Sequence, residues 1–382
     1  MKQEKAIELI SECLELIGKD EPFMTNDEMK VPVREYLDER MFDEERAQLL
    51  RSSMNIVAHG SQVASPGDFI TRDVLGTPVL LARQKDGTLK AFVNVCRHRG
   101  ATVETRSQGN CRRFVCPYHA WTYQTDGALA AVRHQDGFPT LEVASTSLVE
   151  LQCHEAAGLV WVCPDPGAPR WSPDEGTRTL IAELEGLGCG SSVVFASDDR
   201  VWNANWKLIA DGGLESYHFK ILHRNTIADF FTDNISTFEF LGEHIRTVLP
   251  QRSIVELREQ PESTWDIRKH THVVYFVAPN ATILIQEGHY ELVLTTPMSV
   301  DQTRVEVLTV VPAPRESGFS DRATQFWTAN HDFTKKTLYE DFEVGEQIQR
   351  GMHTGANEFF RFGRFEGALT QWHERLANRL GR

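Results

Sequence analysis

The chain has 382 residues, 41% of them hydrophobic and 25% charged, with a net charge of −14 at pH 7 and a pI of about 5.5. That length exceeds one ordinary core and points to two domains. The acidic balance argues against nucleic acid as a general partner, and no apolar run reaches the roughly 20 residues needed to cross a bilayer.

Residues 1–50 carry many charges and read as helical. The opening MKQEKAIELISECLELIGKD is amphipathic and lacks the unbroken apolar stretch and small-residue cleavage site of a signal peptide. The cytoplasm is therefore the expected compartment, with no membrane partner. From about 54 to 165 the pattern changes to short apolar or alternating runs divided by the turn signals Pro66-Gly67-Asp68, Asp86-Gly87 and Asp126-Gly127. PVLLAR (78–83), KAFVNVC (90–96), SLVELQC (147–153) and GLVWVC (158–163) predict the strands of a small all-β domain over 51–165. The Pro-rich stretch 164–173 reads as a linker. Beyond it, THVVYFV, ATILIQ, HYELVLTTP and TRVEVLTVV predict an antiparallel sheet between about 245 and 312, and helices are expected over 319–352 and 364–379. Runs of strands followed by long helices give an α+β domain over 170–382, with a curved sheet covered by helices.

Seven cysteines are spread along the chain. In a reducing compartment such cysteines are buried residues or metal ligands more often than disulfides. Cys13, Cys111, Cys153, Cys163 and Cys189 have no partner at ligand spacing and read as packing residues. Cys96 and Cys116 differ. Cys96-Arg97-His98 is followed, after seventeen residues, by Cys116-Pro117-Tyr118-His119. Each of two loops thus offers one thiolate and one imidazole, with Cys96 expected to end a strand and Trp121-Thr122-Tyr123 to restart one. In a Rieske [2Fe-2S] centre two Cys hold one iron and two His the other, which raises the potential above that of an all-Cys cluster. Structural zinc also takes two Cys and two His, but C-x-H is an uncommon zinc spacing. Arg97, Arg99, Arg112 and Arg113 lie in or beside these loops; they are either a solvated face or a docking patch for an acidic electron donor.

A second constellation follows Asn205-Trp206-Lys207: Asp211-Gly212-Gly213-Leu214-Glu215-Ser216-Tyr217-His218, then His223. Two His and one carboxylate on one face of an iron leave positions open for O2 and substrate. On an unbroken helix His218 and His223 would be about 140° apart, so the helix is expected to end or distort between them. Glu215, three residues before His218, would lie on the same helical face and accept a hydrogen bond from the ring nitrogen not on iron. For the third ligand, Asp341 shares a helical face with Leu338, Gly345, Ile348 and Met352, a carboxylate on an otherwise apolar stripe that needs a partner. Glu340 is the alternative. Phe219, Phe230, Phe231 and the sheet residues around Ile283–Gln286, Ile285 foremost, are the candidate pocket lining.

CRHRG…CPYHAWTY…DG resembles the Rieske domain of ring-hydroxylating oxygenase alpha subunits. NWK…D…ESYHFKILH and Glu340-Asp341…Gln349 resemble the same family's iron-binding segments, so the likeness spans most of residues 40–380. It implies a Rieske domain inserted before a helix-grip-like catalytic domain, with a cluster on Cys96, His98, Cys116 and His119 and a mononuclear Fe(II) on His218, His223 and Asp341. It further implies a homotrimer in which Glu215 bridges His218 of one chain to His119 of the next, and a separate reductase or ferredoxin that relays electrons from NAD(P)H. Two departures stand out. Asp211-Gly212 replaces the family's frequent Glu-Asn, and the bridging acid is Glu215 where Asp is common. The expected reaction is O2-dependent hydroxylation of a small aromatic substrate. The alternative is hydroxylation or demethylation of a non-aromatic compound such as a quaternary ammonium. Remoter readings are a Rieske electron carrier and a hydrolytic zinc protein.

Overall fold

A computed structural model describes residues 1–314 and 318–382. The chain divides into two compact units, one formed by 50–172 and the other by 1–49 together with 173–382.

The 50–172 unit is built from three small antiparallel sheets. The five-stranded one has Asp68–Val74, Thr77–Arg83 and Leu89–Val93 at its centre, and a three-stranded one carries Arg113–Val115, Thr122–Gln124 and Leu129–Ala131. Alternate residues of these strands (Phe69, Leu80, Ala82, Phe92, Phe114, Tyr123) point into one core that also takes in Cys96, Cys116 and Trp121. This is the period-2 pattern of strands with one buried face. Gly127 closes the Asp126-Gly127 turn at φ +87°, and a Cβ there would lie 2.5 Å from the Phe92 ring. The strand expected to run to Cys96 ends at Val93. The expected strand 147–153 is split, Glu150–Leu151 pairing in one sheet and Cys153–Ala156 in another.

The other unit is organised by a seven-stranded antiparallel sheet. Its spatial order is Ser192–Trp202, Gln302–Pro312, Tyr290–Ser299, Ala281–Ile285, Thr271–Val277, His244–Pro250 and Thr237–Leu241. The 32-residue helix Asp321–Met352 packs Leu338, Tyr339 and Phe342 onto Trp202, Val293, Val305 and Val307 of this sheet. The N-terminal helix Gln3–Lys19 buries Ala6, Leu9, Ile10, Cys13 and Leu14, an i, i+3, i+4 stripe. The sheet starts earlier in the chain than 245. Ser192–Trp202 was hidden by the polar run Ser197-Asp198-Asp199-Arg200, and this strand is largely half-exposed. The short strand Met29–Pro32, which pairs with Phe359–Phe362, was hidden within a segment read as helical. Among the described residues no helix is long and apolar enough to cross a membrane.

Candidate functional site: two metal-binding constellations

The two cysteine–histidine loops repeat one backbone pattern. The N–H of Gly100 donates to the carbonyl of Cys96 and that of Cys96 to Ala101. In the second loop Ala120 donates to Cys116 and Cys116 to Trp121, all at 2.8–3.0 Å. Each loop turns through the left-handed region, at Gly100 (φ +77°) and at Ala120 (φ +60°), a conformation uncommon for a residue with a Cβ. The loops bring like with like. The Cys116 thiol is in hydrogen-bonding reach of Cys96, and the imidazoles of His98 and His119 meet edge to face at 4.6 Å. His98 is stacked on Trp121 at 5.0 Å and 8°. Tyr123 supports the first loop, its hydroxyl 3.4 Å from the Cys96 sulfur and accepting from the Arg97 N–H. The Nδ1 atoms of both histidines are buried and have no hydrogen-bond partner among the described residues. Two paired thiols and two imidazole nitrogens without partners are the donor set a [2Fe-2S] cluster ligated Cys2His2 requires. Arg97, Arg99, Arg112 and Arg113 are all exposed. Arg99 is already engaged, with its guanidinium over the Tyr118 ring and 2.7 Å from Nε2 of His119.

The second constellation rests on an anchor formed by the Asn-Trp-Lys motif. The side chain of the fully buried Asn205 caps the helix Trp206–Gly212 by accepting the Lys207 N–H, its own backbone N–H donates to Oε1 of Gln349, and its side-chain amide donates to the carbonyls of Tyr36 and Val300. The Lys207 ammonium and the Trp206 indole both donate to Glu45, with Lys207 at 2.6 and 2.7 Å from the two carboxylate oxygens.

The helix stops at Gly212, so Glu215 and His218 do not share a helical face as expected. Instead the chain turns at 213–218, and the Glu215 carboxylate accepts the N–H groups of Tyr217 and His218 while meeting Nδ1 of His218. The contact is the expected one, made by a turn. His218 and His223 flank a single helical turn, Phe219–Leu222, which resolves the 140° conflict. The long helix supplies the acids. An Asp341 oxygen lies 3.3 Å from Nε2 of His218 and 3.0 Å from Nε2 of His223. Glu340 meets the opposite nitrogen, Nδ1 of His223, at 2.8 Å and accepts from the Thr226 hydroxyl.

Each imidazole is thus held from behind by a carboxylate and presents Nε2 forward, the arrangement that fixes the tautomer of a metal-binding histidine. Ligand atoms of His218, His223 and Asp341 lie within 4.8 Å of one another, and among the described residues they form the one such group able to hold a single metal ion. Burial opposes a charge on His218, but the hydrogen bonds to Asp341 and Glu215 outweigh it and push its pKa up to about 10. Burial likewise works against the Asp341 carboxylate, and the two histidines hold its pKa below the usual range. A site that attracts positive charge this strongly fits a divalent cation at the same point.

Two cavities meet at this triad. One, of about 680 Å³, is lined by His223, Asp341, Phe219, Phe230, Phe231 and Leu284, among others. Ile285 is not part of its wall. On the strand Ala281–Ile285, Ile283 and Ile285 are buried on the opposite face and Leu284 faces the cavity, because successive strand residues alternate. Phe230 is 55% exposed. The other cavity, of about 570 Å³, touches His218, Glu215, Asp211 and Glu366. Asp211 does not join the triad. Its carboxylate accepts from the Tyr36 hydroxyl at 2.7 Å and meets His373 at 2.9 Å. The sequence reading did not anticipate Glu340 behind His223, although its position next to Asp341 had marked it as the alternative ligand. The tie between Asn-Trp-Lys and Glu45 carried no local signal, since Glu45 is one acid in a charged segment.

Comparison with known proteins assigns both parts of the chain to families. Residues 190–382 match the family described as ring hydroxylating alpha subunit (catalytic domain), and residues 53–145 match the Rieske [2Fe-2S] domain. The carnitine monooxygenase oxygenase subunit of Acinetobacter pittii is 34% identical over 190 residues, 48% of this chain, and the match spans about half (49%) of that protein's length. The 2-halobenzoate 1,2-dioxygenase large subunit of Burkholderia cepacia is 24% identical over 91% of this chain and 82% of its own. The solved structure of the quaternary ammonium Rieske monooxygenase CntA with L-carnitine superposes with a TM-score of 0.77 at 22% identity, covering 92% of this chain and 95% of that one; it shares the fold.

Proposed function

Because the chain belongs to the ring hydroxylating alpha subunit family, we propose that it is the oxygenase component of a Rieske system and that its substrate is a small quaternary ammonium compound, which it hydroxylates or demethylates. The observation that carries the oxygenase reading is the His218–His223–Asp341 group opening onto an aromatic-walled cavity. An iron held there supplies O2 activation, and a cluster held by Cys96, His98, Cys116 and His119 supplies electrons singly.

The chain's own residues do the rest. Glu215 and Glu340 hold the two imidazoles so that only Nε2 faces forward. His218, His223 and Asp341 would hold a metal ion from one side and would leave it accessible from the cavity. Phe219, Phe230 and Phe231 line this cavity with aromatic rings, which attract a quaternary ammonium without needing a hydrogen bond. Glu215 has a carboxylate committed to His218 and borders both cavities. In a homotrimer it would be the group that receives His119 of the next copy, making it a positioning residue for inter-subunit electron transfer. A separate reductase, fed by NAD(P)H, would dock on the arginine-bearing cluster loops. The substrate assignment draws on the similarity to the carnitine enzyme. An aromatic acid is the second reading, favoured by the 2-halobenzoate relative that matches 91% of this chain.

The test begins with iron, acid-labile sulfide and the EPR spectrum of the dithionite-reduced protein. Three irons and two sulfides per chain, with the low average g value of a His-ligated cluster, are expected. Turnover with a surrogate reductase should then consume O2 and give a mono-hydroxylated or dealkylated amine. A cis-diol from an aromatic acid, with quaternary ammonium compounds inert, would overturn the substrate assignment. Two irons and no further ferrous uptake would overturn the oxygenase reading.

A further inference from the structure

The cavity on the triad runs along one stripe of the long helix, which lines it with Trp327, Asn330, Thr334, Leu338 and Asp341. Trp327 stands fourteen residues before Asp341, a rise of about 21 Å along the axis. The His289 ring packs against the Trp327 indole, with centroids 5.3 Å apart. His289 therefore forms the cavity wall at the end remote from the metal ligands.

Behind His289 is an acid that the site described above does not use. Glu291 is completely buried, and its Oε1 accepts no hydrogen bond from the described residues. Its Oε2 accepts from the Thr309 hydroxyl at 2.7 Å, and that hydroxyl also contacts Nδ1 of His331 at 2.8 Å. Oε1 lies 3.5 Å from Nε2 of His289, which is itself 5% exposed. A carboxylate removed from water needs a positive or hydrogen-bond-donating neighbour, and the imidazole is placed to be it. An acid–imidazole pair that only fastened a core would be closed off on all sides; here the imidazole is the cavity wall. A second imidazole, His272, lines the same cavity. It is stacked on Phe231 at 5.9 Å and its Nε2 has no partner among the described residues. Burial, with His289 beside it, holds the His272 pKa down to about 4, so near neutral pH it adds a polar edge without a charge. The cavity wall is thus aromatic along its length and carries two imidazoles, one of them backed by a buried acid.

We propose that His289, backed by Glu291, is a specificity-determining residue that receives a carboxylate at the end of the substrate away from the carbon that is oxidised. This deepens the quaternary ammonium reading and rests on it: the preferred substrate is a zwitterion, with its cationic head among the phenylalanines and its anion at His289.

The test uses the holoprotein, loaded with iron and cluster, under anaerobic isothermal titration. The probes are trimethylammonium alkanoates of increasing chain length, each paired with its primary amide, together with aromatic acids paired with their amides. Each acid that binds should do so at least tenfold more tightly than its amide. His289→Ala should erase that ratio while leaving amide affinity and iron content unchanged, and His289→Lys should restore part of it. His289→Gln provides the same comparison if the alanine variant fails to fold. Equal binding of acid and amide by the parent protein, or a ratio that survives in the alanine or glutamine variant, overturns the assignment. Failure of the underlying substrate reading looks different: the quaternary ammonium pairs do not bind and the aromatic pairs do, with the acid preference still reporting on His289. Absence of saturable binding by every pair overturns both.

Discussion

Removing the Glu340 carboxylate separates the two roles that adjacent acids on one helix can play. Glu340 touches Nδ1 of His223 at 2.8 Å, and Asp341 approaches Nε2 of both histidines. If Glu340 only orients His223, Glu340→Ala deletes, besides its bond from Thr226, the one hydrogen bond between the carboxylate and the ring, about 1.5–3 kcal/mol. At 1.4 kcal/mol per factor of ten, ferrous iron should bind about 10- to 100-fold more weakly, the range found when such an outer partner is lost. Asp341→Ala removes a ligand and should abolish stoichiometric binding. The assay is anaerobic titration of iron-depleted protein against a competing chelator, with the visible absorbance of the cluster as an internal control that should not change. His223 is 1% exposed, so its packing limits how far the ring can drift and keeps the expected loss finite. Complete loss of iron in Glu340→Ala with retention in Asp341→Ala would exchange the two roles and refute the geometry. An unchanged affinity in Glu340→Ala would show that the Nδ1 contact does not orient the ring.

Three further outcomes are expected. Glu45→Ala leaves the fully buried Lys207 ammonium without its partner and should cost about 3–5 kcal/mol in denaturant unfolding, while Glu45→Leu with Lys207→Met should recover most of it; a silent single variant contradicts this. Burial holds His244 at about 4, partly offset by Asp174, and Nδ1 accepts the Ala278 N–H. A depressed folded pKa means that the unfolded chain binds the proton first. The contribution is therefore fully present above the unfolded value of about 6.5 and is lost as pH falls toward 4, up to about 3 kcal/mol. His244→Gln should flatten the stability profile in that window, and an unaltered slope would assign it to other groups. Gly127→Ala must strain a left-handed turn and displace the Phe92 ring; a loss of roughly 1–3 kcal/mol is expected, read as a lower thermal midpoint, and an unchanged midpoint would show that the turn relaxes freely.

What the sequence made legible followed from spacing and chemistry. Cys-x-His and Cys-x-x-His mark loops whatever their surroundings, and the strands from His244 to Pro312 alternate or run apolar because they are buried. Asp341 could be singled out because a carboxylate on an apolar helical stripe is out of place. What stayed hidden depends on tertiary partners. Ser192–Trp202 carries two aspartates and an arginine because much of it is half-exposed, so no hydrophobic period announces it. Glu340 was marked only as the alternative ligand, on a more polar side of the helix than Asp341, and only the fold brings Nδ1 of His223, 117 residues away, against it. For Ile285 the error was one of phase. A short apolar strand gives no sign of which alternate set faces a cavity, and the choice fell on Ile285 where Leu284 and Gln286 line it.

The long helix ties substrate space to metal geometry. Residues three or four apart, from Trp327 through Asn330, Thr334 and Leu338 to Asp341, keep one face toward the cavity, while Glu340, rotated by about 100° from Asp341, reaches the back of His223. A single turn of helix therefore contacts both nitrogens of one imidazole, and the preceding turns form the cavity wall as far as His289. The rotation of this helix on the sheet is fixed by Phe342 and Tyr339 against Trp202, with ring centroids 5.3 and 4.8 Å away. Trp202 and Tyr339 line neither cavity, and Phe342 borders only the one that touches His218, yet a small rotation there would move Asp341 relative to both histidines and shift the cavity wall at the same time. The aromatic packing of Trp202 is thus part of what sets the site, and the half-exposed strand that carries it, invisible in the sequence, is the element against which the metal-facing helix is registered.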